Sequence, residues 1–292
     1  MSDDGFAIRR LTLVGVGLIG GSLSLALKRA GVVGEVIGHA RNEAGLRRGV
    51  ERGILDGYAT DPGEAVQGSD LVVVATPLGA IRPVFAAIAP HLSGQAVITD
   101  VGSAKAAVVA DARAELGEHF PRFVAGHPIA GTENSGVEAG FAELFDNRKI
   151  ILTPDDATDV AAIERVRRMW QATGAEVETM SVEHHDRVLA ATSHLPHMLA
   201  FALVSHLSKM SDQDEIFAYA AGGFRDFTRI ASSDPVMWRD VCLANADALL
   251  ELIDGFQLEL QQVAEAIRAR DADALFEHFQ SAKDTRDQLK HL

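Results

Sequence analysis

The first half of the chain alternates short β-branched runs with stretches of helical period. Apolar runs at Leu11–Val14, Glu35–Gly38, Leu71–Ala75, Ala96–Asp100, Phe123–Ala125 and Lys149–Leu152 predict strands. Several are apolar throughout, the pattern of strands covered on both faces. Between them, Leu18–Ala30, Glu43–Arg52, Ile81–His91 and Ser103–Leu116 predict helices, the first two stopped by Gly31 and Gly53. A further predicted helix, Ala161–Thr173, and a predicted strand, Glu176–Met180, complete this half. Such alternation predicts an α/β class fold with a doubly wound, mostly parallel sheet.

Beyond about Met180 the strand pattern stops and the spacing predicts helices, broken at Gly222-Gly223 and Asp234-Pro235. Asp234 with Pro235 predicts a helix start, an N-cap oxygen followed by proline at the first turn. From Val236 onward there is no proline. Cys242, Ala246, Leu249, Ile253, Phe256, Leu260, Val263 and Ile267 recur at steps of four and three. That spacing predicts one long helix with a coiled-coil-like stripe. About 30 residues of helix span about 45 Å, more than a small domain needs internally. A homodimer through this helical half is therefore expected; with the glycine motif Gly15-Val16-Gly17-Leu18-Ile19-Gly20 near the start, the pattern predicts a dinucleotide-binding, Rossmann-type domain over 1–180 and a helical substrate-binding and dimerisation domain over 181–292.

Composition narrows the ligand. The 292 residues carry a formal charge of −14, which argues against nucleic acid as a partner, because phosphate binding needs a basic footprint. A small anionic substrate must then be held by a few local Arg, His or backbone N–H groups. The single cysteine, Cys242, cannot form a disulfide within the chain and reads as a small apolar residue. The N-terminus lacks a signal-peptide core, and no run approaches about 18 apolar residues. No membrane association is expected, and the cytoplasm is the expected location.

Gly15-Val16-Gly17-Leu18-Ile19-Gly20 follows the first predicted strand and opens the first predicted helix. In that setting the first glycine makes the turn, the second admits a pyrophosphate, and the third lets helix and strand pack closely. The helix start, with Leu18 and Ile19, offers free N–H groups to phosphate. The acid that grips a cofactor ribose is expected about 20 residues on. Here that position reads Gly38-His39-Ala40-Arg41-Asn42, with no carboxylate. Arg41, with His39, suits a 2′-phosphate, which favours NADP over NAD. Thr76 and Pro77, after the strand ending at Ala75, are expected to bracket the cofactor.

Three further segments point at the same crevice. Ser103, in Asp100-Val101-Gly102-Ser103-Ala104-Lys105, reads either as an N-cap or as a group beside the nicotinamide. His127, at the end of a predicted strand, reads either as an acid–base group or as a structural histidine. His194 and His197 have i, i+3 spacing without an accompanying ligand cluster, so no metal is expected. His184 and His185 are expected to face solvent. The segment Gly222–Trp238 crowds Arg225, Asp226, Arg229, Asp234 and Trp238 together, more charge than packing alone requires.

Together, G-V-G-L-I-G-G-S, D-V-G-S-A-K, G-H-P-I-A-G-T-E, S-H-L-P-H and G-G-F-R-D-F-T-R-I-A-S-S-D-P-V-M-W resemble the prephenate dehydrogenase family, which includes arogenate and cyclohexadienyl dehydrogenases. The resemblance covers nearly the whole chain. It implies oxidative decarboxylation of prephenate to 4-hydroxyphenylpyruvate, with hydride passed to NAD(P). By position it implies His127 as the catalytic acceptor of the hydroxyl hydrogen bond, with Ser103 orienting it. Arg229 and His197 would bind substrate carboxylates, and Glu133, Asp226 and Arg229 would form a charged entrance. Trp238 would be contributed across a dimer, and His194 would lie near the cofactor. Ala40 departs from the acid of NAD-using members. The length leaves no room for an added regulatory domain, so any tyrosine inhibition is expected at the active site.

The alternatives are an arogenate-specific dehydrogenase, another NADP oxidoreductase of the β-hydroxyacid dehydrogenase or imine reductase type, and a dinucleotide sensor without turnover. The second group favours a catalytic lysine in the helical half, where only Lys209, Lys283 and Lys290 occur, none in a motif. A sensor needs no proton acceptor.

Overall fold

The computed structural model describes residues 5–132 and 134–289. Six strands form a parallel sheet in the order β3-β2-β1-β4-β5-β6: β1 (Ile8–Val14), β2 (Val33–His39), β3 (Gly57–Tyr58), β4 (Leu71–Val74), β5 (Val97–Asp100) and β6 (Phe123–Val124). The helices between them include α1 (Leu18–Ala30), α2 (Glu43–Glu51), α3 (Pro62–Val66), α4 (Ile81–Ile88) and α5 (Ala106–Glu115). Leu11, Leu13, Leu71, Val72, Val73 and Val74 are fully buried, as strands covered on both faces require. The order reverses between β1 and β4, so a crevice opens at their carboxyl ends, where open α/β sheets bind ligands.

The expected single sheet is two. After β6 the chain crosses to a three-stranded sheet of β7 (Gly126–Pro128), β8 (Lys149–Leu152) and β9 (Glu176–Thr179), with α6 (Val160–Ala172) before β9. Here β7 is antiparallel to β8, and His127 pairs with Ile151. The crossing is tight at Gly126, where a Cβ would lie 3.2 Å from the Asp100 carbonyl oxygen and 3.3 Å from a Leu152 methyl. β3 escaped the sequence pattern because two residues carry no periodicity.

The helical portion opens with α7 (Val182–Leu189), a π-turn over Ala190–His194, and α8 (Leu195–Leu207). Pro196 lacks the N–H that would bond the Thr192 carbonyl, and the wider turn accommodates the loss. Within the run Val182–Leu207, an 18-residue window has mean hydropathy 1.4, long and apolar enough by composition to cross a membrane. The interspersed histidines and serines had hidden this from the search for an unbroken apolar run. Its Asp186 carboxylate accepts the backbone N–H groups that open α5, so this helix is tied into the protein interior.

There follow α9 (Gln213–Ala218), α10 (Gly222–Thr228), a 3₁₀ turn at Arg229–Ser232, and α11 (Pro235–Ala244). Asp234 Oδ1 accepts from the N–H groups of Val236 and Met237, the expected cap. The expected long helix is interrupted: Asn245 leaves helical geometry at φ −120°, ψ 37°, and α12 (Ala246–Ala269) begins after it. α13 (Ala272–Gln288) is the last helix among the described residues. Two compact units result, divided between Ala246 and Asp247. In the second, α12 exposes Leu250, Leu258, Leu260 and Ile267, and α13 exposes Phe276 and Phe279.

Candidate active site

The glycine loop has the shape a dinucleotide needs. Gly15 has φ +105°, and a Cβ there would collide with the Ala75 carbonyl. At Gly20 a Cβ would collide with the carbonyl of Gly15, so this glycine sets the close approach of α1. Gly17, by contrast, has nothing within 4 Å of where a Cβ would stand. Its lack of a side chain serves open space rather than packing, which fits a pyrophosphate at the start of α1. Leu18 and Ile19 are half-buried against the main core. Thr76 is half-buried at the end of β4 with its Oγ1 enclosed and unpartnered, and Pro77 beside it is exposed.

At the end of β2, His39 donates its Nδ1–H to the Ala59 carbonyl at 3.1 Å, which leaves Nε2 available. Arg41 is exposed, with no ion pair or hydrogen bond among the described residues. Asn42 caps α2 by accepting the Ala44 N–H.

Ser103 does not start a helix. α5 begins at Ala106, and its cap is the carboxylate of Asp186, which accepts the N–H groups of Lys105 and Ala106 at 2.8 Å each. Ser103 is thus left in a half-buried loop with no side-chain bond among the described residues. Lys105 is completely buried, and its Nζ donates to Asp100 Oδ2 at 2.5 Å and to the Gly126 carbonyl at 2.7 Å. Asp100 Oδ1 accepts the Gly126 N–H at 3.1 Å. This buried pair holds both the N–H and the carbonyl of Gly126, the residue preceding His127. Burial pulls the Lys105 pKa down, while Asp100 opposes it.

His127 is buried, with Nδ1 2.9 Å from Nε2 of His185. His185 Nδ1 in turn lies 2.8 Å from Asp186 Oδ1. The expectation that His185 faces solvent is corrected: its neighbour His184 is exposed, whereas His185 is fully buried on the inner face of α7. Burial first, then the nearby His185, Lys105 and His194, hold His127 well below the ordinary imidazole range, so it is neutral at physiological pH.

His194 is almost fully enclosed, and burial pushes its pKa down to about 4. Its Nδ1 accepts from the Asn245 amide at 3.1 Å, so the proton sits on Nε2, which is buried without a formed hydrogen bond beside the backbone of Ser103. His197 donates Nδ1–H to the Ser193 carbonyl at 2.8 Å, inside the π-turn. Burial lowers its pKa, the Ser193 carbonyl opposes this, and the Arg229 charge lowers it further. Arg229 is exposed in the 3₁₀ turn packed against α8. Trp238 stacks on His197 of its own chain, ring centroids 3.8 Å apart at 21°. Within one chain only 8% of Trp238 is exposed.

Asp226 is exposed on α10, without a partner among the described residues, and Arg225 donates to the Ala220 carbonyl. Glu133 lies outside the described residues. One cluster thus joins Ser103, His127, His194, His197, Trp238 and Arg229. Lys105, His185, Asp186 and Asn245, which pattern reading passed over, support it from behind.

Comparison with known proteins gives this cluster its context. Residues 23–179 match the family described as "Prephenate dehydrogenase, nucleotide-binding domain", and residues 181–281 match "Prephenate dehydrogenase, dimerization domain". The chain belongs to the prephenate dehydrogenase family. Among its relatives in that family is the cyclohexadienyl dehydrogenase of Zymomonas mobilis, 39% identical over 97% of this chain and 96% of the relative. The prephenate dehydrogenase of Bacillus subtilis is 38% identical over 96% of this chain and 76% of its own length. A crystal structure of prephenate dehydrogenase from A. aeolicus, in complex with hydroxyphenyl propionate and NAD+, superposes with TM-score 0.91 at 38% identity, covering 98% of this chain and all of the other. The N-terminal nucleotide-binding fold and helical remainder seen here are the architecture of prephenate dehydrogenases.

Proposed function

We propose that this protein oxidatively decarboxylates prephenate to 4-hydroxyphenylpyruvate in tyrosine biosynthesis. Bound NAD(P)+ supplies the hydride acceptor. The observation that carries the reading is a neutral, buried His127 grouped with Ser103 and with the cation Arg229 near His197. His127 accepts a hydrogen bond from the ring hydroxyl as the carbon bearing it loses hydride. The electron pair of the bond to the ring carboxylate flows into the ring, CO2 departs, and the product keeps its phenolic proton. Aromatisation drives the step, so the protein's task is alignment and charge placement. Arg229 suits a carboxylate because guanidinium pairs with it through two parallel hydrogen bonds. His197 assists, its ring fixed by Trp238 and Ser193. Ser103 orients the hydroxyl toward His127, Asp226 shapes the charged entrance with Arg229, and His194 flanks the nicotinamide.

The cofactor loop is Gly15 to Gly20 with Thr76 and Pro77, and the free Arg41 beside Ala40 favours NADP as a substrate at least as good as NAD. Labour divides near residue 180, where the two family matches meet. The dimerisation match and the exposed apolar residues of α12 and α13 support a homodimer. The cytoplasm, which holds nicotinamide cofactor in quantity, is the compartment this chemistry suits. Turnover of purified protein with prephenate and with arogenate, each with NADP and NAD, tests the reading through the absorbance of reduced nicotinamide. Failure with both acids would overturn it; turnover of arogenate alone would make it an arogenate dehydrogenase.

A further inference from the structure

A histidine that accepts a hydrogen bond must present an unprotonated nitrogen, and a neutral imidazole has only one. Which nitrogen that is depends on what the other one meets. At His127 the other nitrogen meets a second, fully buried histidine, and that histidine meets a carboxylate.

The protons can be assigned by elimination from the carboxylate end. Asp186 accepts the N–H groups of Lys105 and Ala106 in addition to His185. Burial pushes its pKa up, but the His185 hydrogen bond and the two backbone N–H groups outweigh this and hold it below the usual carboxylate value. An ionised carboxylate only accepts, so His185 Nδ1 carries a proton. With that proton on Nδ1, a lone pair on His185 Nε2 lets His127 Nδ1 donate across the 2.9 Å contact. The free lone pair of His127 falls on Nε2.

We propose that His185 and Asp186 are positioning residues that hold His127 in the Nδ1–H tautomer, leaving Nε2 to accept the substrate's hydroxyl hydrogen. The proposal rests on the reading of His127 as the acceptor. Neither residue has a surface from which to touch substrate: His185 is fully buried and Asp186 is 5% exposed. The groups facing His127 are His185 from α7, His194 from the π-turn and Lys105 from the start of α5, whose ammonium is neutralised by Asp100. Asp186 is the anion at the far end of the chain of rings. It stabilises positive charge as it develops on His127, as a buried carboxylate does behind a catalytic histidine. The same carboxylate caps α5, the helix that follows the Ser103 loop, so one residue fixes both the acceptor and the loop opposite it.

The test reads the tautomer directly and then the rate. Nitrogen-15 NMR of histidine-labelled protein at neutral pH should show His127 protonated on Nδ1 and bare on Nε2. A His127 protonated on Nε2 in the wild type overturns the proposal without reference to activity. His185→Phe removes the acceptor at similar volume and should lower kcat by about 10²–10⁴-fold, the size of a tautomer error. Substrate and cofactor KM should stay within about threefold, the signature of a loss confined to the transition state. His185→Gln, whose carbonyl can again accept from Nδ1, should recover most of the rate. Asp186→Asn removes charge and should move the acid limb of the kcat profile to lower pH, because imidazolium loses its counter-charge. Full rate in His185→Phe, or an unmoved limb in Asp186→Asn, overturns the role of that residue. Full rate in His127→Asn would instead overturn the functional reading, and the NMR result would still report the tautomer.

Discussion

Asn245 donates its side-chain amide to Nδ1 of His194, 3.1 Å away, from the residue at which the helix α11 stops. The same nitrogen donates to the Asp186 carbonyl at 2.8 Å. Both partners accept, so the orientation of the amide is settled and His194 must carry its proton on Nε2. The helix break is the consequence of placing this side chain. Asn245→Ala should therefore destabilise the fold by about 1–3 kcal/mol, because two buried acceptors lose their donor. Were Asn245 only a poor helix former, alanine would raise stability by a few tenths of a kcal/mol. Thermal or urea unfolding of the variant separates the two signs.

The same residue marks the limit of what the sequence reveals. The stripe from Cys242 to Ile267 has an unbroken helical period, since Asn245 falls on a polar position where the pattern tolerates anything. Its φ/ψ departure is imposed by tertiary hydrogen bonds to α7 and the π-turn, which no local propensity encodes. His185 was missed for a related reason: adjacent histidines in a polar stretch look solvated, and only the fold turns one of them inward. Gly15, Gly17 and Gly20 were legible because a strand, a turn and a helix start stand side by side in the chain. The parallel sheet was legible for the same reason, whereas the crossing at Gly126 was not: the apolar run ends at Ala125, and Gly126-His127-Pro128 carries no strand pattern.

Replacing His127 with asparagine should keep substrate binding and lower kcat by about 10²–10⁴-fold, the usual scale of acid–base assistance. Burial holds the His127 pKa well below 6.5, so the wild-type acid limb should lie below that value. The limb should vanish in the variant. A near-normal kcat would remove His127 from the chemistry.

Arg229 is exposed, and its charge reaches His197. A group that holds a carboxylate equally in ground and transition states raises KM more than it lowers kcat when removed. Arg229→Ala should raise substrate KM by at least about 10²-fold, equivalent to two charge-assisted hydrogen bonds. Cofactor KM should hardly move. An unchanged substrate KM would place the carboxylate elsewhere.

Stability should fall on mild acidification. His127, His194 and His197 all have folded pKa values below the ordinary 6.5, mainly through burial. The unfolded chain therefore binds more protons below that pH. Their stabilising contribution is complete above 6.5 and is lost as pH falls toward the folded values. For His194, whose folded value is about 4, the loss by pH 4.5 is about 2–3 kcal/mol. The lowered Asp186 adds a further loss below its ordinary 3.8. Urea unfolding at a series of pH values should show the decline, and a flat profile from neutral to pH 4.5 would contradict the burial of these rings.

Cofactor choice turns on the end of β2. A carboxylate there binds both ribose hydroxyls and repels a 2′-phosphate. Ala40 offers no repulsion and packs its methyl against the main apolar core, while Arg41 is exposed and unengaged among the described residues. His39, anchored through Nδ1 to Ala59, keeps Nε2 for a second contact. NADP should accordingly be used at least as well as NAD. Ala40→Asp combined with Arg41→Ile should swing kcat/KM toward NAD, since the acid returns and the cation goes. The effect should reside in cofactor KM, because the adenosine end lies far from the reacting carbon and binds alike in ground and transition states. A wild type that strongly prefers NAD would mean that Arg41 stays in solvent and that His39 and backbone groups hold the ribose.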